Sequence, residues 1–405
     1  MKLLEPFLEW QEDIKTIRRD LHAHPELAFQ EVRTADKVAE LLSSWNIPID
    51  RGLGGTGVVG IIKGDLAGER AIGLRADMDA LPMQEINSFD HASQHEGKMH
   101  GCGHDGHTAM LLNAARYLST HRNFGGTVYL IFQPAEEGGN AGARKMIEDG
   151  LFKKFPMDAV FGMHNWPGMK AGQFGVTPGP IMASSNLFSI TIEGKGTHAG
   201  MPHLGNDPIM AAVQTAQAIQ TIVSRNRHPM EAAVVSITQI HAGSATNVIP
   251  NVAELKGTVR TFTTETLDMI ETRMNEIISS TARALGCEGT LVFERKYPPT
   301  INTEAEAALC IDVMKSIVGP ENVDPKVVPT MGAEDFSFML QEVPGCYVWI
   351  GNGMGDHRDT GHGLGPCMLH NGSYDFNDEL LPLGATYWVR LVESWFTPNK
   401  GKSPI

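Results

Sequence analysis

Only five cysteines occur in 405 residues, an odd and sparse count that argues against a disulfide framework and for a reducing compartment. A single cysteine here is packed, reactive or a metal ligand. Nowhere do about 18 apolar residues run together, so no segment reads as a membrane span. The start, with Glu5 and Pro6 after Leu3 and Leu4, falls short of the roughly 7 to 15 apolar residues of a secretion signal. A cytoplasmic location without a membrane partner is therefore expected. Cations are also scarce: 33 Lys and Arg stand against 47 Asp and Glu, for a net charge of −14. A field of that sign repels phosphate backbones, so no nucleic-acid partner is expected. Internal repeats and low-complexity tracts are lacking. So are HExxH and GxSxG, which removes one-metal zincin chemistry and the α/β-hydrolase serine. GLGGTG at 52–57 matches a dinucleotide pattern in letters only, because it follows a helical stretch and precedes a strand.

What is present is a globular composition, with 42% hydrophobic and 20% charged residues, at a length that suggests two domains. Apolar residues at Trp10, Ile14, Ile17 and Leu21 keep a helical period, and a second helix is expected from Thr34 to Trp45. Short apolar runs at 57–64, 71–81, 126–137 and 157–167 then read as strands buried on both faces, with helices at His107–Leu118 and Ala141–Asp149 between them. Alternation of this kind predicts an α/β domain with a mostly parallel sheet. After a Gly- and Pro-rich stretch the order becomes strand 187–194, helix 207–224, strands 234–242 and 253–262, helix 265–285 and strand 289–295. That β-α-β-β-α-β order predicts an inserted ferredoxin-like α+β domain. Helices at 303–317, 333–341 and 378–395, with a strand at 346–351, are expected to complete the first domain.

The 16 histidines are the feature that chemistry must explain. In HGCGHDGHT (100–108), Cys102 and His104 are two residues apart among glycines that let thiolate and imidazole converge. A redox-sensitive or merely buried thiol is the alternative. QPAEE (133–137) ends a strand at the edge where α/β sheets carry their sites. In an extended segment Glu136 and Glu137 point in different directions, so one can bind metal while the other faces water. His164 ends another strand, in GMHNWP, and His370 lies in CMLHNGSYDFND. Five ligands from four distant loops suit a site at sheet ends rather than a zinc-finger clip. His357 and His362, in a Gly-rich stretch, are expected to be solvated.

RADMDALPM (75–83), HGCGHDGHT, QPAEEGGNAGA, GMHNWPG, GKGTHAGMPH (194–203), ATNVIPN (245–251), GTVRTF (257–262), MGAEDFSFM (331–339) and LHNGSYDFND together resemble the aminoacylase and carboxypeptidase G family of dinuclear metallohydrolases. The likeness is to its hippurate hydrolase and auxin amino-acid conjugate hydrolase branch. It runs through nearly the whole chain, and it implies a catalytic domain over 1–184 and 296–405 and a lid domain over 185–295 that forms a homodimer. It further implies Cys102, His104, Glu137, His164 and His370 as ligands of two divalent ions, with zinc first and manganese or cobalt as alternatives. Glu136 becomes the general base and His198 an oxyanion donor in the site of the partner subunit, while Asn247 and Arg260 bind the substrate carboxylate and Gly332 contacts the substrate. The implied reaction is hydrolysis of an N-acyl amino acid by metal-activated water; a dipeptidase or N-carbamoyl amino-acid hydrolase is the alternative. Asp105 and His107 are expected to orient ligands, and Asp77 and Asp79 to be supporting or turn groups. One departure is Gly372, where the family usually has Pro after Leu-His-Asn, which implies a less rigid loop around His370.

Overall fold

Leu74, Val128, Leu130, Val160, Phe161, Val348 and Ile350 are completely buried, and their β-branched and aromatic neighbours fit a sheet covered on both sides. In the computed structural model, which describes residues 1–397, these runs form the centre of an eight-stranded sheet. Its order is Ile49–Leu53, Gly57–Lys63, Gly125–Gln133, Leu66–Asp77, Ala159–Pro167, Gly345–Gly353, Phe174–Gly175 and Val323–Asp324. The four central strands run parallel, Leu66–Asp77 pairing with both Gly125–Gln133 and Ala159–Pro167, and Gly345–Gly353 continuing beside the latter. Antiparallel strands finish the Ile49 edge. Helices His104–Leu118 and Leu380–Phe396 share one apolar core with the sheet. Burying each large side chain there stabilises the fold by about 1.5–3 kcal/mol.

Two compact units result: Met1–Ile181, Ile301–Val328 and the chain from Asp335 onward form one, and Met182–Thr300 with Pro329–Glu334 the other. The second unit has a four-stranded antiparallel sheet in the order Ala233–Ala242, Val252–Thr261, Ser185–Glu193, Glu288–Tyr297. That is the ferredoxin-like order. Phe188, Ile190 and Ile192 alternate with exposed or half-buried residues and meet Leu267, Ile270 and Met274 of the helix Thr264–Ala284, as expected of a sheet with one covered face. Both of its long helices are capped by side chains the sequence supplies. Asp207 accepts the amide of Ile209 ahead of Pro208–Thr221, and Thr263 accepts that of Thr266.

Strand ends differ from the sequence reading. The runs expected to reach residues 81 and 137 stop at Asp77 and Gln133, because the chain turns there to place side chains rather than extend the sheet. The helix at 104–118 begins at His104, three residues early. The helix expected from 333 shortens to Ser337–Glu342. No helix among the described residues is long and apolar enough to cross a membrane.

Candidate active site

Three loops that follow parallel strands deliver Cys102 with His104, Glu136 with Glu137, and His370, while His164 lies within the strand Ala159–Pro167 itself, and together they form one cluster. Gly103, at φ 93°, turns the chain between Cys102 and His104. A side chain there would meet Asn165 Oδ1 at 2.2 Å, so only glycine fits this close approach. Cys102 Sγ lies 3.4 Å from His164 Nε2. His164 Nδ1 donates to the carbonyl of Asn165 at 2.6 Å, and His104 Nδ1 to that of Asp79 at 2.8 Å. Both imidazoles therefore turn Nε2 into the cluster, and these backbone bonds fix their tautomers. Glu137 Oε1 lies 3.2 Å from His370 Nε2. Ligand atoms of Cys102, His104 and His164, of Cys102, Glu137 and His370, and of His104, Glu136 and Glu137 each fall within 4.8 Å of one another.

The electrostatics suit a cation. Burial pushes the Cys102 thiol well above its ordinary value, and the charges of Glu137 and Glu136 push it further. Burial, with His107 beside it, holds His164 well below its usual value and therefore neutral. His104 behaves oppositely: burial disfavours its charge, yet Asp77 and Asp79 outweigh that and carry it up to about 10. Nε2 of His104 is nevertheless buried with no hydrogen-bond partner, a donor atom left for something other than protein. A thiol, three imidazoles and two carboxylates packed together call for positive charge, which a divalent ion brings.

Around this cluster lies a layer of supporting groups. Asp77 Oδ1 accepts from His107 Nδ1 at 2.6 Å and Oδ2 from Arg75 at 2.6 Å; His107 Nε2 takes the Asn165 amide at 3.0 Å. Asp79 accepts the amides of Glu136 (3.1 Å) and Glu137 (2.9 Å) on its two oxygens. Asp105 orients no ligand, contrary to expectation. It meets Arg18 at 3.4 Å and His22 at 2.8 Å in an ion cluster that also takes in Glu85, Asp375 and Asp378. His357 and His362, expected to be solvated, are half-buried, and both hydrogen-bond to Asp375, one to its carbonyl and one to its carboxylate. The loop of His370 is pinned despite Gly372. His370, at φ 58°, donates its amide to Gly101 at 2.8 Å, and Gly372 accepts that of Ile86 at 2.9 Å. A Cβ at Gly372 would stand 2.7 Å from the Gln84 carbonyl, so the close approach of those two backbones takes the place of a proline.

His198, Asn247, Arg260 and Gly332 all belong to the second unit. Pairing of Thr197–His198 with Val248–Ile249 brings exposed His198 and Asn247 together, and the Ala199 amide donates to the Asn247 carbonyl at 3.0 Å. Arg260 sits on the strand Val252–Thr261, half-buried, with Nη1 bonded to Thr258 Oγ1 and to the Val259 carbonyl. Gly332 is exposed, its carbonyl accepting the Ala183 amide at 2.9 Å. The sequence reading missed Arg18, which pairs with Asp105, and Asn165, whose amide meets His107. Asn165 carried a signal as the neighbour of His164.

A parallel sheet whose strand ends gather thiol, imidazole and carboxylate offers the donor set of a hydrolase-type metal site. Residues 73–394 match Peptidase family M20/M25/M40, and the chain belongs to that family. It is 41% identical to the hippurate hydrolase of Campylobacter jejuni over 97% of this chain and 99% of that one. It is 39% identical to the N-acetylcysteine deacetylase of Bacillus subtilis, over 93% and 95% of the two chains. A Bacillus subtilis crystal structure described as a dinuclear metal-binding peptidase of the M20 family superimposes with a TM-score of 0.83, at 34% identity over 96% of this chain and 99% of that one.

Proposed function

We propose that the protein is a metal-dependent amidohydrolase that cleaves N-acyl amino acids to a carboxylic acid and a free amino acid. The observation that carries this reading is the cluster of Cys102, His104, Glu137, His164 and His370 beside Glu136. The names of the relatives supply the substrate class, since hippurate and N-acetylcysteine are both N-acyl amino acids. Those five residues hold two divalent ions in this reading. Zinc is the first choice because thiolate and imidazole suit it, with manganese or cobalt as alternatives. When bound, the ions supply Lewis acidity to the amide carbonyl and to the attacking water.

Glu136, 7% exposed, then does the proton work. It takes one proton from the water as the oxygen adds to the carbonyl carbon, and passes it to the amide nitrogen as the C–N bond breaks. The water oxygen ends in the carboxylic acid and its protons are shared between the two products. His198 takes part of the oxyanion charge, and Arg260 forks onto the substrate carboxylate with Asn247 and Gly332 alongside. A homodimer through the second unit and a cytoplasmic location complete the reading.

The test is turnover by metal-loaded protein of a panel in which acyl group and amino acid vary separately, with dipeptides and N-carbamoyl amino acids included. N-acetyl and N-benzoyl amino acids should be the best substrates. Preference for dipeptides or N-carbamoyl compounds would transfer the protein to a neighbouring activity.

A further inference from the structure

Glu31 stands at the N-cap of the helix Val32–Ser44, where an acidic side chain ordinarily accepts the first amides of its own helix. It makes no such bond. Glu26 does that work instead, taking the amides of Arg33 at 3.1 Å and Thr34 at 2.8 Å. The completely buried Glu31 carboxylate reaches instead to a loop 104 residues away in sequence, where Oε1 accepts the Ala135 amide at 2.9 Å. The same oxygen takes the Phe29 amide at 3.0 Å, and Oε2 the Thr56 hydroxyl at 2.7 Å.

Ala135 is buried at φ 56°, a left-handed conformation that a residue with a Cβ rarely adopts. The two amides that follow it, those of Glu136 and Glu137, go to Asp79. Three consecutive amides of the turn that carries the base are thus each fixed by a buried carboxylate. We infer that Glu31 is a positioning residue for the hydrolytic step: it holds Ala135 in its left-handed conformation and so aims the Glu136 carboxylate. The inference rests on the reading of Glu136 as general base. Burial pushes the Glu31 carboxyl up to about 7, with the charge of Asp79 adding to it.

Glu31→Met removes the acceptor, whereas Glu31→Gln keeps Oε1 for both amides and can donate to a rotated Thr56 hydroxyl. With the full chain loaded with zinc, kcat, KM, bound metal and unfolding temperature are measured for wild type, both variants and Glu136→Gln. Glu31→Met should lower kcat about 10- to 100-fold, with KM within about twofold and metal retained, and Glu31→Gln should restore kcat to within about threefold of wild type. Unchanged kcat in Glu31→Met, loss of its metal, or a Glu31→Gln variant as slow as Glu31→Met overturns the inference. If Glu31→Met does not fold, Glu31→Asp decides, because it keeps the charge but withdraws it by about 1.5 Å; a tenfold loss of kcat supports the role and wild-type kcat refutes it. Activity surviving in Glu136→Gln would instead remove the base reading itself, so the two failures are distinguishable.

Discussion

Gly103→Ala is the smallest change that should disturb the metal centre without touching a ligand. Gly103 lies between Cys102 and His104 at φ 93°, a backbone that costs a residue with a Cβ about 1–2 kcal/mol. The new methyl would stand 2.2 Å from Asn165 Oδ1 and 2.5 Å from Tyr374 Oη. Neither can withdraw freely: Asn165 and Tyr374 are completely buried, hydrogen-bonded to each other at 2.6 Å, and Asn165 is tied by its amide to His107. Overpacking of this kind adds about 1–3 kcal/mol, so the total is about 2–5 kcal/mol, shared between fold stability and ligand placement. If about 1.4 kcal/mol of it falls on the metal, affinity drops about tenfold. Chelator competition reports the affinity and denaturant titration the stability. Tyr374→Phe in the same background removes one of the two close contacts and should recover part of the loss. A Gly103→Ala protein matching wild type in both within about 0.5 kcal/mol would show that this turn does not set the geometry of Cys102 and His104.

Three further outcomes follow from the same geometry. Glu136→Gln should keep its metal and lose on the order of 10²- to 10⁴-fold in turnover; activity within a few-fold of wild type sinks the base assignment. Arg260→Ala should harm amides that carry the free carboxylate far more than analogues lacking it, and equal losses in kcat/KM on the two would rule out the fork onto that group. His22 supplies a pH signature. Burial disfavours its charge, but Asp105 and Glu85 carry it up to about 10, above the unfolded value of about 6.5. Its stabilisation is therefore fully present below pH about 6.5 and is lost as pH rises through about 10. The stability gap between wild type and His22→Gln should narrow across that window in denaturant titrations, and a gap that widens with pH would contradict the charged assignment.

The sequence made the skeleton of the fold readable because period and burial agree in it. Continuous apolar runs such as VYLIFQ and AVFGM became central parallel strands, and the alternation of LFSITI became a sheet with one covered face. Ligand candidates were legible for a different reason: Cys102, His104, Glu137, His164 and His370 stand among glycines or at strand ends, where few structural roles compete for such side chains. What escaped was everything fixed by long-range approach. No local pattern announces that Glu31 meets Ala135, that Arg18 and His22 enclose Asp105, or that Asp375 gathers His357 and His362. Asp105 was misread for the same reason, since adjacency to His104 in sequence says nothing about which side of a helix start faces the cluster. The crowding at Gly372 was equally hidden, because it depends on the Gln84 carbonyl nearly 290 residues earlier.

The central claim is that divalent ions held by Cys102, His104, Glu137, His164 and His370 make this chain an amidohydrolase. Its most direct test is turnover of N-benzoylglycine by chelator-stripped protein, followed by titration with zinc and elemental analysis of the bound ion. Activity should vanish on stripping and return in proportion to metal, reaching its plateau at about two ions per chain. Full turnover by protein shown to hold no metal, or stoichiometric metal binding with no turnover of any N-acyl amino acid, would contradict it.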